Sequence, residues 1–148
     1  MTKFVRYRQC GGGALIIDYG SIGTGDTIRG FSKHKQVCFL SRPGSVDITA
    51  DVDFRALRHA ISQVTNEGTT TFGPVGQGQF LMSLGAGERV ETLIDDENVT
   101  EEQAEDLFNA FERLASPDHM GERFKVLAIT ENDSTKRCPP GFEALYMT

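Results

Sequence analysis

Basic residues are in deficit: 15 Lys and Arg stand against 21 Asp and Glu, a net charge of −6. A dedicated nucleic-acid binder shows a basic face, so that class is set aside. Long apolar runs are missing too, and none approaches the ~20 residues that a membrane-spanning helix needs. Cysteine is sparse. Cys10, Cys38 and Cys138 are odd in number, widely spaced and without a CxxC pair. That argues against a disulfide framework and suits a reducing compartment. His34 and Cys38 lie four apart, but a zinc site takes three or four ligands. His59 and His119 have no His or Cys close by in sequence and no obvious ligand set, so no metal is expected. Internal repeats and low-complexity tracts are also lacking.

What remains is an ordinary globular composition, 39% hydrophobic and 24% charged. A chain of 148 residues suits one domain that buries about 70% of its unfolded surface. Residues 1–10 carry Lys3, Arg6 and Arg8 without an acid or a serine. They read as a short basic leader or an arbitrary start rather than a presequence.

The apolar run Ala14-Leu15-Ile16-Ile17 predicts a strand covered on both faces, as in the middle of an α/β sheet. Gln36 to Leu40 has strand character, and Arg42-Pro43-Gly44-Ser45 is a turn signal. From Asp53 onward, Phe54, Leu57, Ile61 and Val64 recur at helical spacing, with Asp51 or Asp53 placed to cap the exposed amides. Asn66-Glu67-Gly68 ends that helix. Thr69 to Phe72 is strand-like and Gly73-Pro74 stops it. Gly76 to Gly85 predicts a short helix. Glu88 to Asp95 predicts another, with Val90, Leu93 and Ile94 inward. Thr100-Glu101-Glu102-Gln103 is a capping box, opening a helix whose stripe is Leu107, Phe108, Phe111 and Leu114. Phe124 to Ile129 is the last strand, followed by a tail at 131–148. Strands alternating loosely with helices give an α/β or α+β layer structure.

Gly20, Gly23 and Gly25 follow the first strand at once. A dinucleotide fingerprint runs GxGxxG and opens a helix. Here the spacing is reversed, no amphipathic helix follows, and a Walker lysine is missing, so the loop reads as a connection rather than a phosphate cradle. Asp18 and Tyr19 end the strand, and ligands of α/β sheets bind beyond the carboxyl ends of strands. An Asp there can accept hydrogen bonds from a cationic substrate, and a Tyr can stack on a guanidinium. Equally, Asp18 can tie the loop together.

Five collinear blocks carry a resemblance: GGGALIIDYG, DTIRGFSKHK, PGSVDITADVDF, GPVGQGQFLMSLG and MGERFKVLAI. From about Gly11 to Ile129 the chain resembles the MidA-like family of mitochondrial protein-arginine methyltransferases, known as assembly factors for respiratory complex I. The second block is more similar to the mitochondrial members than to the bacterial ones. The resemblance implies an α/β fold, the class I S-adenosylmethionine-dependent methyltransferase fold. Residues 11–130 would be its late strands and C-terminal helices, with the N-terminal cofactor-binding half absent. It implies S-adenosylmethionine as cofactor, symmetric dimethylation of an arginine on a complex I subunit, and the mitochondrial matrix as location.

On that resemblance Asp18 and Tyr19 border the substrate cleft. Asp51 and Asp53 are placed to meet a substrate arginine, since a carboxylate matches a guanidinium in bidentate geometry; helix capping is their other reading. Gln77 is a candidate hydrogen-bonder to substrate, while Phe80 and Leu81 read as core. Gly121-Glu122-Arg123-Phe124 reads as a structural turn or a Glu–Arg pair. No residue is assigned to the cofactor. Three readings stay open: the C-terminal segment of the methyltransferase, a non-catalytic binding product or truncated isoform, and a bare α/β fragment.

Overall fold

A computed structural model describes residues 13–23, 25–64, 69–131 and 138–143. The leader, Cys10, the expected helix end at Asn66-Glu67-Gly68 and most of the tail lie outside the described residues.

The apolar run near the start forms β1 (Gly13–Ser21), longer than its four most apolar residues. A small antiparallel sheet follows, made of β2 (Arg29–Ser32), β3 (Lys35–Val37) and β4 (Asp47–Thr49). Its strand order is β3-β2-β4. Only β3 had a sequence signal, and it ends at Val37, because Phe39 and Leu40 enter a turn. The Arg42-Pro43-Gly44-Ser45 turn is present, closed by a hydrogen bond from Ser45 N–H to the Arg42 carbonyl at 3.0 Å.

Two residues of β5 (Val52–Asp53) lead directly into α1 (Phe54–Val64). Then come β6 (Thr69–Gly76), α2 (Gln77–Ser83), α3 (Ala86–Ile94), α4 (Glu101–Ala115), one wide helical turn at Pro117–Gly121, and β7 (Phe124–Glu131). The main sheet has the order β5-β1-β7-β6. It is mixed: β1 runs parallel to β5 and antiparallel to β7, and β6 is antiparallel to β7. Pro74 does not end its strand as expected. The Gly73–Pro74 bond is cis, and a register shift between Phe72 and Val75 absorbs the residue that cannot donate to the ladder.

The sheet separates two cores. On one face Phe54, Leu57 and Ile61 of α1 pack on Leu127, Ile16 and Ile129. On the other, Phe80 of α2 and Phe142 cover Phe72, Val75, Val126 and Ala128. Burying each large side chain contributes about 1.5–3 kcal/mol. The second cover stops short of β1. Leu15 is 51% and Ile17 48% exposed, so the expectation of cover on both faces fails: these two point to the face whose packing ends over β6 and β7. Along Gly13–Tyr19 the outer edge of β1 has no strand partner among the described residues, and β5 begins to pair only at Gly20.

The helix α4 opens with the expected reciprocal cap. The Thr100 hydroxyl accepts from Gln103 N–H, and the Gln103 side chain accepts from Thr100 N–H at 3.0 Å. Its stripe is less buried than its periodicity suggests, with Phe108 54% and Leu114 44% exposed. Leu93 of α3 also faces outward. Helices α2, α3 and α4 pack mainly on one another beyond the sheet, so part of each apolar stripe meets no second layer.

Candidate functional site

The carboxyl end of β1 is where four of the five sequence blocks meet. The strand delivers Asp18, Tyr19 and Gly20 in succession. Gly20 pairs with Val52, and a Cβ on Gly20 would lie 2.2 Å from the Val52 carbonyl oxygen. Only a glycine lets β5 approach this closely. That approach brings the Ile48–Phe54 segment, with its two acids, beside the strand end.

Tyr19 is the centre of the cluster. Its hydroxyl shares a hydrogen bond with Thr49 Oγ1. Its ring meets the edge of Phe124 at 5.7 Å and 76°. Two guanidinium groups stand over it, those of Arg29 and Arg123, each with its central carbon 5.9 Å from the ring centroid. Such contacts contribute about 0.5–1 kcal/mol at exposed positions. Arg29 is ion-paired with Asp51, both about a quarter exposed. The Asp51 backbone N–H donates to Thr27 Oγ1 at 3.1 Å, which ties the pair to the strand before β2. Arg29 Nε is buried and lacks an acceptor.

The expected site residues divide accordingly. Tyr19 and Asp51 come together through Arg29. Asp53 sits next to them but is occupied: its Oδ1 accepts from Arg55 N–H at 2.9 Å, Ala56 N–H at 3.1 Å and Gly23 N–H at 3.3 Å. It caps α1 and pins the glycine loop. Asp18 Oδ1 accepts from the N–H of Tyr19 at 2.8 Å, and in the ladder Asp18 stands opposite Lys125. Gln77 belongs elsewhere. It opens α2, is 8% exposed, and its Nε2 donates to the Leu114 carbonyl at 2.9 Å, which binds α2 to α4.

Sequence reasoning did not single out Arg29, Thr49 or Arg123 as site residues. Arg29 and Arg123 stand in the quoted RGF and GERF blocks, but spacing alone does not show that strands β2 and β7 converge on one tyrosine. Of the two readings of Gly121-Glu122-Arg123-Phe124, a structural turn or a Glu–Arg pair, the pair does not form: Glu122 pairs with Lys125, and Arg123 stands over Tyr19.

The glycine loop is a connection between β1 and β2, and Thr24 within it lies outside the described residues. The Gly23 amide goes to Asp53, and residues 25–28 run irregularly into β2 rather than into a helix. Residues 25–28 therefore open no helix N-terminus of the kind that holds an anionic group. Among the described residues no cluster of His, Cys, Asp and Glu is arranged for a metal ion, and no helix is long and apolar enough to cross a membrane.

Comparison with known proteins identifies the family. Residues 1–75 match a family described as "Putative S-adenosyl-L-methionine-dependent methyltransferase". The chain is 38% identical over 146 residues to the Xenopus laevis protein arginine methyltransferase NDUFAF7, mitochondrial, across 93% of this chain and 32% of that protein. It is 42% identical over 125 residues to the Drosophila melanogaster homolog, covering 84% and 28%. It is 39% identical over 125 residues to the Homo sapiens protein, covering 84% and 27%. The chain thus spans about a third of the length of these relatives or less. A crystal structure of an uncharacterized Burkholderia thailandensis protein superposes with a TM-score of 0.73 at 26% identity, over 90% of this chain and 36% of that one. A second Burkholderia thailandensis structure, bound to S-adenosyl-homocysteine, gives a TM-score of 0.68 at 26% identity, over 90% and 34%. With the family match covering half of its residues, the chain belongs to this S-adenosyl-L-methionine-dependent methyltransferase family.

Proposed function

We propose that the chain is the substrate-facing part of a mitochondrial protein-arginine methyltransferase of the class I fold. Its strands β1, β7 and β6 would be the late strands of that sheet. The cofactor turn would belong to the portion of the relatives that this chain does not span. The enzyme would form symmetric dimethylarginine on a respiratory complex I subunit in the matrix, in complex I assembly.

The observation that carries this reading is the convergence of Tyr19, Arg29, Asp51 and Arg123, from four separate blocks, at the carboxyl end of β1. Ligands of α/β sheets bind at such ends. Identity of 38–42% to relatives named as mitochondrial arginine methyltransferases supports the substrate class. Within the cluster Asp51 is engaged by Arg29 and Asp53 by the α1 amides. Asp18, on the other face of the strand from Tyr19, bonds Tyr19 N–H through one oxygen, and it is the carboxylate assigned here to the target guanidinium. Gln77 acts through the α2–α4 packing.

Methyl transfer depends on holding the donor in line with the acceptor nitrogen, since positioning supplies much of the rate. With the Gly23 amide spent on Asp53, this polypeptide alone supplies the acceptor side and transfers no methyl group. A non-catalytic role, binding a complex I subunit, is favoured by the same observation. The test of the enzyme reading is deletion of the gene, followed by mass spectrometry of the complex I subunits. Loss of symmetric dimethylarginine from one subunit is expected; unchanged methylation would remove the proposed substrate.

A further inference from the structure

We propose that Arg123, with Arg29 beside it, reads an acidic side chain of the bound protein segment and so selects substrates with Asp or Glu near the target arginine. This rests on the reading of the site as the acceptor side of an arginine methyltransferase.

Ion pairing at the strand end leaves one arginine open to an anion. Arg29 is balanced by Asp51, and Lys125 by Glu122. Arg123 is exposed and has no carboxylate in ion-pair distance among the described residues. Asp18 and Asp53 stand at the same strand end, but Asp53 is spent on backbone N–H groups and Asp18 lies opposite Lys125, so the Arg123 charge stays unpaired among the described residues. The ring of Tyr19 holds both guanidinium groups against itself. An arginine held in this way has its planar fork set in advance, so less freedom is lost when it grips a carboxylate. Arg29 is also unsaturated: one terminal nitrogen serves Asp51, while Nε has no acceptor.

The same geometry excludes the target guanidinium from the tyrosine face. A third cation placed over Tyr19 would meet two like charges, and like-charge juxtaposition is strongly unfavourable. The substrate arginine is therefore directed away from the ring, and the tyrosine face is free for the opposite charge. Bidentate Arg–carboxylate pairing is the contact that this fork makes best.

The test uses the whole chain and a fluorescent Gly/Ser peptide that contains one arginine and two aspartates, followed by anisotropy at low salt. Replacing both aspartates by asparagine is expected to weaken binding about fivefold, the upper end for an exposed ion pair. Arg123→Gln, at an exposed position, is expected to erase that difference while the melting temperature falls by no more than about 4 °C, the loss of one cation–ring contact. Equal binding of the two peptides, retention of the preference by Arg123→Gln, or no binding of either peptide would overturn the proposal. A peptide with glutamine for arginine separates the two layers. If the acid preference persists and the arginine makes no difference, acid recognition stands and the arginine-substrate reading falls.

Discussion

Gly20→Ala is the substitution that tests how the site is assembled. The added Cβ would lie 2.2 Å from the Val52 carbonyl oxygen and 2.9 Å from both the carbon and the nitrogen of that residue. Carbon–oxygen contacts are comfortable from about 3.3 Å, so β5 must retreat by about 1 Å. The obstacle is backbone and cannot swing aside. Overpacking of this kind costs about 1–3 kcal/mol, and the rigid neighbour places Gly20→Ala in the upper half of that range. For a domain of this size each kcal/mol shifts the melting temperature by about 2–4 °C. A fall of about 4–12 °C is therefore expected. The control is Gly25→Ala, where a Cβ meets nothing within 4 Å; such a surface change stays within about 0.5 kcal/mol. Both variants are read by thermal unfolding, monitored by circular dichroism. If Gly20→Ala melts with Gly25→Ala, β5 is not held against β1 as described, and the approach of Asp51 and Asp53 to Tyr19 loses its cause.

Three further outcomes follow from single side chains. Phe142, 1% exposed and packed on Phe72 and Phe80, should lose about 3–5 kcal/mol of unfolding free energy as Phe142→Ala in urea titrations; a loss below about 1 kcal/mol would place it outside the core. Asp53→Ala removes the acceptor of three backbone N–H groups and should cost about 1–2 kcal/mol with faster hydrogen exchange at Arg55 and Ala56, while Asp53→Asn recovers most of the loss. The hydrogen bonds from the Asn98 backbone and side chain hold the Asp96 carboxyl below its ordinary value of 3.8. A depressed folded-state pKa means that its contribution is complete above the unfolded value and lost as pH falls through the folded one. NMR titration should give an Asp96 midpoint below 3.8 that moves up toward that value in Asn98→Ala.

Local signals were the most legible in the sequence. The Thr100–Gln103 box placed the start of α4, because a cap is chemistry within four residues. The spacing of Phe54, Leu57 and Ile61 placed α1, and Asp53 was already read as a possible cap. Signals that depend on what lies opposite were less legible. Leu15 and Ile17 read as doubly buried, but burial depends on a layer that ends over β7 and β6. Pro74 read as a stop, but a bulge lets the strand continue. Near the cluster, Asp18, Tyr19, Asp51 and Asp53 are singled out in the sequence by their strand-end and block positions. The partners that define their roles, Arg29, Thr49 and Arg123, come from β2, β4 and the residue before β7. Their convergence on Tyr19 is a product of topology, and no spacing along the chain encodes it. For the same reason Gln77 read as a substrate contact, whereas its partner is the Leu114 carbonyl, 37 residues away.

The most direct measurement is a calorimetric titration of S-adenosylmethionine into the purified, folded chain. The account holds that these residues build the acceptor side of a methyltransferase and spend the glycine-loop amide on Asp53. It predicts no saturable heat. Saturable binding in the micromolar range would contradict it, because a cofactor site would then be formed by residues assigned here to other work.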